Sequence, residues 1–105
     1  MNPVLVHGQA SYKVDLQLAV KEKALYGHTF LNLTQTPILH CFEHCVKHCL
    51  CMAFHICENT ECQLLSSSRF LFPSALRRKR GCDYYDLLTR QPTQVRKLTG
   101  EVRKI

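Results

Sequence analysis

Polar and apolar residues alternate along the first part of the chain and define one strand. From Tyr12 to Val20 every second residue is apolar, while the residues between them are mostly polar. This period of two, kept over nine residues, predicts a half-buried β-strand. The charged residues 21–23 end this strand, and a second extended stretch is predicted near Gly27–Leu33. Residues 1–11 are predicted to be a lead-in segment.

A helix is predicted from Pro37 to about His48. Thr36 is the expected N-cap, because a threonine followed by a proline at the first helical position is a typical helix start. Cysteines then occur at every fourth position, and this spacing places three of them on one helix face: Cys41, Cys45 and Cys49.

Three further strands are predicted after the helix. Apolar stretches at Cys51–Ile56 and Cys62–Leu65 flank the polar segment Cys57–Glu61, and together they predict a β-hairpin. A longer loop begins at Ser66, and Asp83–Leu88 is predicted to be the last strand.

This order of elements predicts an α+β domain over residues 12–88. One helix should pack on a small antiparallel β-sheet, because the links between the late strands are too short for helical crossovers. From residue 89 to residue 105 the chain is polar and basic without periodicity, and this part is predicted to be a tail or linker.

Size and composition exclude several classes of protein. The chain has 105 residues and seven cysteines, which suits a small domain stabilised by disulfides or by a metal. It is too short for separate cofactor and substrate domains, and no apolar run approaches the roughly 20 residues of a membrane-spanning helix. Ser66–Ser68 lack a glycine elbow, and no cysteine lies in a recognisable nucleophile setting. Paired carboxylates are sparse and no glycine-rich loop could hold a phosphate, so neither catalytic residues nor a cofactor are predicted.

The positive charge is concentrated near the end of the chain. Residues 1–76 hold five Lys/Arg and five Asp/Glu, which cancel, whereas residues 77–105 hold nine against three and supply the whole net charge of +6. The run Arg77, Arg78, Lys79 and Arg80 is expected on a loop, where it would bind an anionic ligand such as a sulfated glycan. Nucleic acid is not an expected partner, because basic and aromatic residues are not interleaved.

Two other interpretations of the basic run remain open. It is also compatible with a solvated loop that binds nothing. Alternatively, it resembles the dibasic site of furin-like proteases, with cleavage before Gly81.

Five short motifs follow one another through the predicted domain: Ala24-Leu25-Tyr26-Gly27-His28, Cys41-x3-Cys45, Cys51-Met52-Ala53-Phe54, Cys62-Gln63-Leu64 and Asp83-Tyr84-Tyr85. In this order they resemble the PAN/apple family of extracellular modules over about residues 25–88. The resemblance implies the disulfides Cys41–Cys62 and Cys45–Cys51, and non-catalytic binding to an extracellular protein or a sulfated glycan. Apple-type members carry a further bridge between the chain ends, but this chain has no cysteine before Cys41.

Three cysteines are additional to that family pattern: Cys49, Cys57 and Cys82. Because three is an odd number, at least one is free or pairs with another chain. We expect Cys57–Cys82 as a third bridge, with Cys49 left over and available to link two copies covalently.

A zinc site is the alternative interpretation of the same cysteines. A His-Cys pair recurs at every fourth residue, at His40-Cys41, His44-Cys45 and His48-Cys49, and such side chains can bind zinc. The protein would then be a small intracellular zinc-binding module. Zinc sites usually use two separated ligand pairs, so we expect instead that the histidines form a solvated stripe and hold no structural metal. Adventitious metal binding or pH sensing by the histidines is the further alternative.

Three more segments bear on location and binding. Asn32-Leu33-Thr34 is an N-glycosylation sequon, which agrees with an extracellular setting. Residues 1–10 lack the pattern of a secretory signal, so an extracellular location implies a mature fragment, an excised domain or an incomplete gene model. The apolar segment Phe70-Leu71-Phe72 is expected to fold back on the core, with a partner-binding patch as the alternative.

Overall fold

The computed structural model describes residues 4–6, 9–14 and 19–91, and these residues form an α+β fold. The described elements in chain order are β1 (Val4–Val6), β2 (Gln9–Val14), β3 (Lys23–Leu25), β4 (Thr29–Leu33), α1 (Ile38–Lys47), β5 (Ala53–Cys57), β6 (Glu61–Leu65), β7 (Leu76–Arg78) and β8 (Cys82–Asp86). Single 3-10 turns occur at Pro73–Ala75 and Leu88–Arg90. The predicted fold class is confirmed.

A central antiparallel sheet has the strand order β4-β6-β5-β8. Phe54 on β5 lies opposite Leu64 on one side and Tyr85 on the other, and the Phe54 and Tyr85 rings stack with their centroids 5.1 Å apart. The predicted hairpin is confirmed as β5–β6. Its turn is tight, and both Glu58 and Asn59 adopt positive φ angles.

Helix α1 covers one face of the central sheet. Its buried residues Cys41, Phe42 and Cys45 recur at helical spacing and pack against β5, β6 and β8. The predicted cap is wrong by one residue, because Pro37 occupies the N-cap position and the Thr36 hydroxyl instead donates to the carbonyl of Thr34.

The other face of the sheet is covered by a two-stranded ribbon of β3 and β7, which the sequence did not predict. Leu25 on β3 pairs with Leu76 on β7, and Leu25 packs with Leu65 and Tyr84 beneath the ribbon. Since both faces of the sheet are covered, every residue of β5 is buried. The domain therefore has three layers: helix, sheet and ribbon.

Three disulfides join these layers and strands. Cys41–Cys62 ties α1 to β6, Cys45–Cys51 closes the loop after α1, and Cys57–Cys82 joins facing residues of β5 and β8. All three expected pairs are confirmed. Cys49 is exposed and unpaired, as expected.

The beginning of the chain differs from the prediction. The lead-in expected over residues 1–11 contains β1 and the first part of β2, which pair antiparallel. Of the strand expected over residues 12–20, the first three residues belong to β2, and Val20 forms an isolated bridge with Tyr84. Residues 1–3, 7–8 and 15–18 lie outside the described residues.

The predicted tail begins later than expected. Arg90 donates from Nη1 and Nη2 to four backbone carbonyls around the end of α1, at distances of 2.6–3.1 Å, and the acceptors are Cys45, Val46, His48 and Cys51. Gln91 is buried and donates to the carbonyls of Met52 and Leu87. The domain thus extends at least to residue 91, and the rest of the tail prediction, 92–105, lies outside the described residues.

Candidate functional site

The basic run lies at the end of the β3–β7 ribbon. Arg77 and Arg78 belong to β7, while Lys79 and Arg80 form the turn that leads into β8, and all four are exposed. The expectation of a plain loop is therefore corrected. The backbone N–H of Lys79 donates to the carbonyl of Glu22 at 2.9 Å, which continues the pairing of the two segments into the turn.

Gly81 completes this turn in a conformation that other residues rarely adopt. Its φ is +89°, and a Cβ placed on it would collide with the carboxylate of Glu58. The Glu58 backbone N–H donates to the Gly81 carbonyl at 2.7 Å. The turn is thus fixed against the β5–β6 hairpin, with Arg80 at its exposed tip.

Tyr26 lies near two of the cations. The Arg77 guanidinium carbon and the Lys79 ammonium nitrogen are each 5.9 Å from the centre of its ring, within the range of cation–π attraction. The ring remains 43% exposed. Consecutive strand residues point to opposite sides, so Arg78 faces away from Arg77 and Lys79. The run therefore presents two differently directed groups rather than one compact cluster.

The ribbon has a net excess of positive charge. Lys23 on β3 lies opposite Arg78 in the strand register and adds a fifth exposed cation. Within the described residues the ion pairs are Lys21–Asp83 and Arg69–Asp86, and neither includes a residue of the basic run. The charges of the run are therefore available to an anionic ligand.

A buried histidine lies under the ribbon. The Nε2 atom of His55 accepts the Leu25 backbone N–H at 2.8 Å, and its Nδ1–H donates to Gln63 Oε1 at 3.0 Å. Burial lowers the pKa of His55, and the charge of Lys79 lowers it further, whereas the hydrogen bond to Gln63 raises it. The imidazole therefore stays neutral, and both of its nitrogen atoms are occupied.

The apolar segment after the sheet is only partly folded back. Arg69 lies over the Phe70 ring and also forms a salt bridge with the buried carboxylate of Asp86 at 2.9 Å. Leu71 and Phe72 each remain 48% exposed, although the Phe72 ring stacks on His28. Phe70 is half-buried, and none of the three residues belongs to the described core clusters, so the expectation that this segment folds back on the core stays a prediction.

The predicted glycosylation site and the histidines are on the surface. Asn32 is exposed on β4, where an oligosaccharide could be attached without disturbing the core. His40, His44 and His48 form an exposed stripe on and just after α1. Six of the seven cysteines are in disulfides, so the zinc interpretation lacks its thiolate ligands. Among the described residues, no three His, Cys, Asp or Glu side chains are grouped to hold a metal ion.

Sequence reasoning missed Tyr26 and His55 as parts of this site. Tyr26 belongs to the first of the five motifs, but nothing near it in the sequence indicates that residues 77 and 79 lie beside it. His55 is the one polar residue of β5, which is buried along its whole length, and the residues beside it in the strand do not indicate its partners. Its polar contacts are with Leu25 and Gln63, so only the folded chain brings them together.

No family model, curated protein or solved structure matches this chain significantly. The similarity to the PAN/apple family therefore stays a prediction based on motif order. Within the part of the chain that the structure describes, no helix is long and apolar enough to cross a membrane.

Proposed function

We propose that the protein is a non-catalytic extracellular binding module whose β3–β7 ribbon holds a sulfated glycan chain. The observation that carries the proposal is the convergence of Arg77 and Lys79 on the exposed ring of Tyr26. The ribbon stands on a domain core of neutral charge, which localises the attraction for an anion.

The chemistry of the side chains suits sulfate groups. An arginine guanidinium donates two parallel hydrogen bonds to one sulfate, and a lysine ammonium attracts a second one as a point charge. Residues two positions apart on an extended chain are about 7 Å apart. Arg77 and Lys79 can thus contact successive anionic groups of one glycan, while the Tyr26 ring restricts the orientation of both side chains.

Three features support an extracellular setting. The protein has three disulfides, which form and persist in oxidising compartments. The sequon asparagine, Asn32, is exposed. The motif order resembles the PAN/apple family, whose members bind proteins or heparin-like chains.

Heparin-affinity chromatography tests the proposal. Arg77→Ser/Lys79→Ser should elute at distinctly lower salt than the wild type, and further changes at Arg78 and Arg80 should lower it again. Lys47→Glu is the matched control, because it also reduces the net charge by two but lies on the exposed side of α1. Wild-type affinity should fall steeply as salt is added, since the contacts are ionic.

Equal effects of the double variant and of Lys47→Glu would overturn the proposal, because binding would then follow net charge alone. Loss of retention only in the ribbon variants would support it. A wild-type protein that heparin does not retain at low salt would also overturn it, and the ribbon would then have to be tested with protein partners.

A further inference from the structure

A cleft of about 200 Å³ opens between the β3–β7 ribbon and the central sheet. Tyr26 and Lys79 line it on the ribbon side, Thr29 lies at the start of β4, and His55 and Gln63 line it from the sheet. Sites for drug-sized ligands have volumes of about 300–1,000 Å³. A group the size of a single sugar ring suits this smaller cleft.

The polar groups of the cleft are suited to an anion. Because His55 donates to Gln63 Oε1, the side-chain amide of Gln63 keeps its NH₂ group for another acceptor. The Thr29 hydroxyl can donate as well, and Lys79 supplies a positive charge. None of the residues that line the cleft is acidic.

The aromatic ring adds an apolar surface beside these donors. Tyr26 has an apolar ring face and a polar hydroxyl, which matches the mixed surface of a sugar. Its ring lies 5.9 Å from the Lys79 ammonium, so one sugar residue can contact both. We infer that this cleft is a subsite for one acidic sugar residue, whose carboxylate or sulfate lies at Lys79 and whose ring lies along Tyr26.

This inference rests on the proposed function and specifies where one residue of the glycan binds. The rest of the glycan would bind along the cations outside the cleft, which are Arg77, Arg78 and Arg80. An anion at Lys79 would offset the charge that lowers the pKa of His55, so occupation of the cleft should raise that pKa. A glycan held only by the outer cations would leave His55 unaffected.

NMR titration of the 105-residue chain with small probes tests the inference. The probes are glucuronate and glucose 6-sulfate, with uncharged glucose and inorganic sulfate as controls. We expect the acidic sugars to shift the Gln63 side-chain amide and the His55 ring signals with a dissociation constant of about 1–10 mM. Tighter binding of glucuronate would show that the cleft prefers a carboxylate, and tighter binding of glucose 6-sulfate would show that it prefers a sulfate.

The controls separate a sugar site from a general anion site. Inorganic sulfate that binds as tightly as glucose 6-sulfate would overturn the role of Tyr26 and the sugar ring. Glucose that binds as tightly as the acidic sugars would overturn the role of Lys79. Shifts confined to the backbone of the basic run would overturn the cleft as the site.

Matched variants complete the test. Lys79→Gln should weaken binding of the acidic sugar about tenfold, whereas Lys47→Gln, which also removes one positive charge but lies on the exposed side of α1, should have little effect. Tyr26→Ala should weaken it about fivefold, Tyr26→Phe should retain most of it, and the similarly exposed Phe72→Ala should match the wild type. The inference would be overturned if Lys79→Gln and its control lost equal affinity for the acidic sugar, or if Tyr26→Ala and Phe72→Ala did. If heparin still binds through the ribbon while the small sugars do not, the subsite fails and the proposed function stands.

Discussion

The Nε2 atom of His55 accepts a hydrogen bond from the backbone N–H of Leu25, and this bond joins the central sheet to the ribbon above it. A backbone N–H can only donate to an unprotonated nitrogen, so the bond requires a neutral imidazole. The ring is 1% exposed, and protonation would place a charge between two layers of the fold. Attachment of the ribbon is therefore sensitive to pH.

We expect the protein to lose stability as the pH falls below 6.5, the ordinary pKa of histidine. In the unfolded chain His55 takes up a proton near that pH, whereas burial keeps the folded imidazole neutral to lower pH. The unfolded state then binds more protons, so the free energy of unfolding decreases as the pH falls through this window. Urea unfolding at several values between about pH 7.5 and about pH 5.5 measures the slope.

His55→Gln provides the comparison for this slope. The variant should be less stable at neutral pH, because it disturbs the bonds to Leu25 and Gln63. Its stability should also depend less on pH, because glutamine does not titrate. A slope equal to that of the wild type would show that His55 is not the group responsible.

Removal of the Arg90 side chain should destabilise the protein by about 2–3 kcal/mol, because charge-assisted hydrogen bonds to four carbonyls are lost. Arg90→Ala should show the full effect. Arg90→Lys should recover only part of it, since an ammonium group lacks the planar fork of donors. Arg80→Ala, at an exposed position, should change stability by less than about 0.5 kcal/mol. Urea unfolding that gives similar values for Arg90→Ala and Arg80→Ala would contradict the prediction.

Replacement of both Cys57 and Cys82 by serine should cost about 3.5 kcal/mol. The closed loop covers a sequence separation of 25 residues, and the loop-entropy relation assigns it this value. Cys49→Ser should leave stability unchanged, because that thiol is exposed and unpaired. Unfolding under non-reducing conditions compares the two variants. A stability loss in Cys49→Ser as large as that of the double variant would argue against the observed pairing.

Cleavage after Arg80 should nick the chain without separating its pieces. Arg80 is at an exposed turn, a preferred place for proteolytic nicking. The Cys57–Cys82 bridge crosses the cut and holds the two pieces together. After treatment with a furin-like protease, non-reducing mass spectrometry should show one species with one water added, and reduction should release two. Two species before reduction would contradict this expectation.

Production in a secretory eukaryotic host should give a glycan on Asn32. Thr34→Ala keeps the asparagine but destroys the sequon, so it should abolish the glycan while leaving Asn32 in place. Digestion with an N-glycanase should therefore reduce the mass of the wild type and leave the variant unchanged. An unmodified wild-type protein from such a host would refute the prediction.

Local sequence patterns predicted the elements whose partners are near in the chain. The β5–β6 hairpin follows from two apolar stretches around a short polar segment, and the buried face of α1 follows from the spacing of Cys41 and Cys45. The helix start was misplaced because Thr36 bonds to the preceding turn instead of capping the helix. Such a competition between local hydrogen bonds is not visible in residue types alone.

The ribbon and the end of the domain could not be predicted because their contacts are distant in sequence. β3 and β7 have three residues each, and β7 holds two arginines and only one leucine, so neither strand gives a clear sequence pattern. Their pairing joins segments that are about 50 residues apart, as with Leu25 and Leu76. Arg90 bonds to backbone carbonyls, which any residue type could supply, so no sequence motif marks its role.

The outer edge of the central sheet has a consequence for the handling of the protein. At the opposite edge, Val20 pairs with Tyr84 of β8, whereas no described strand pairs with the outer side of β4. An open edge can recruit a strand from another molecule and start aggregation. A bulky oligosaccharide on Asn32 of β4 would obstruct that approach. Material from a bacterial host, which lacks this sugar, should therefore self-associate at lower concentration than glycosylated material.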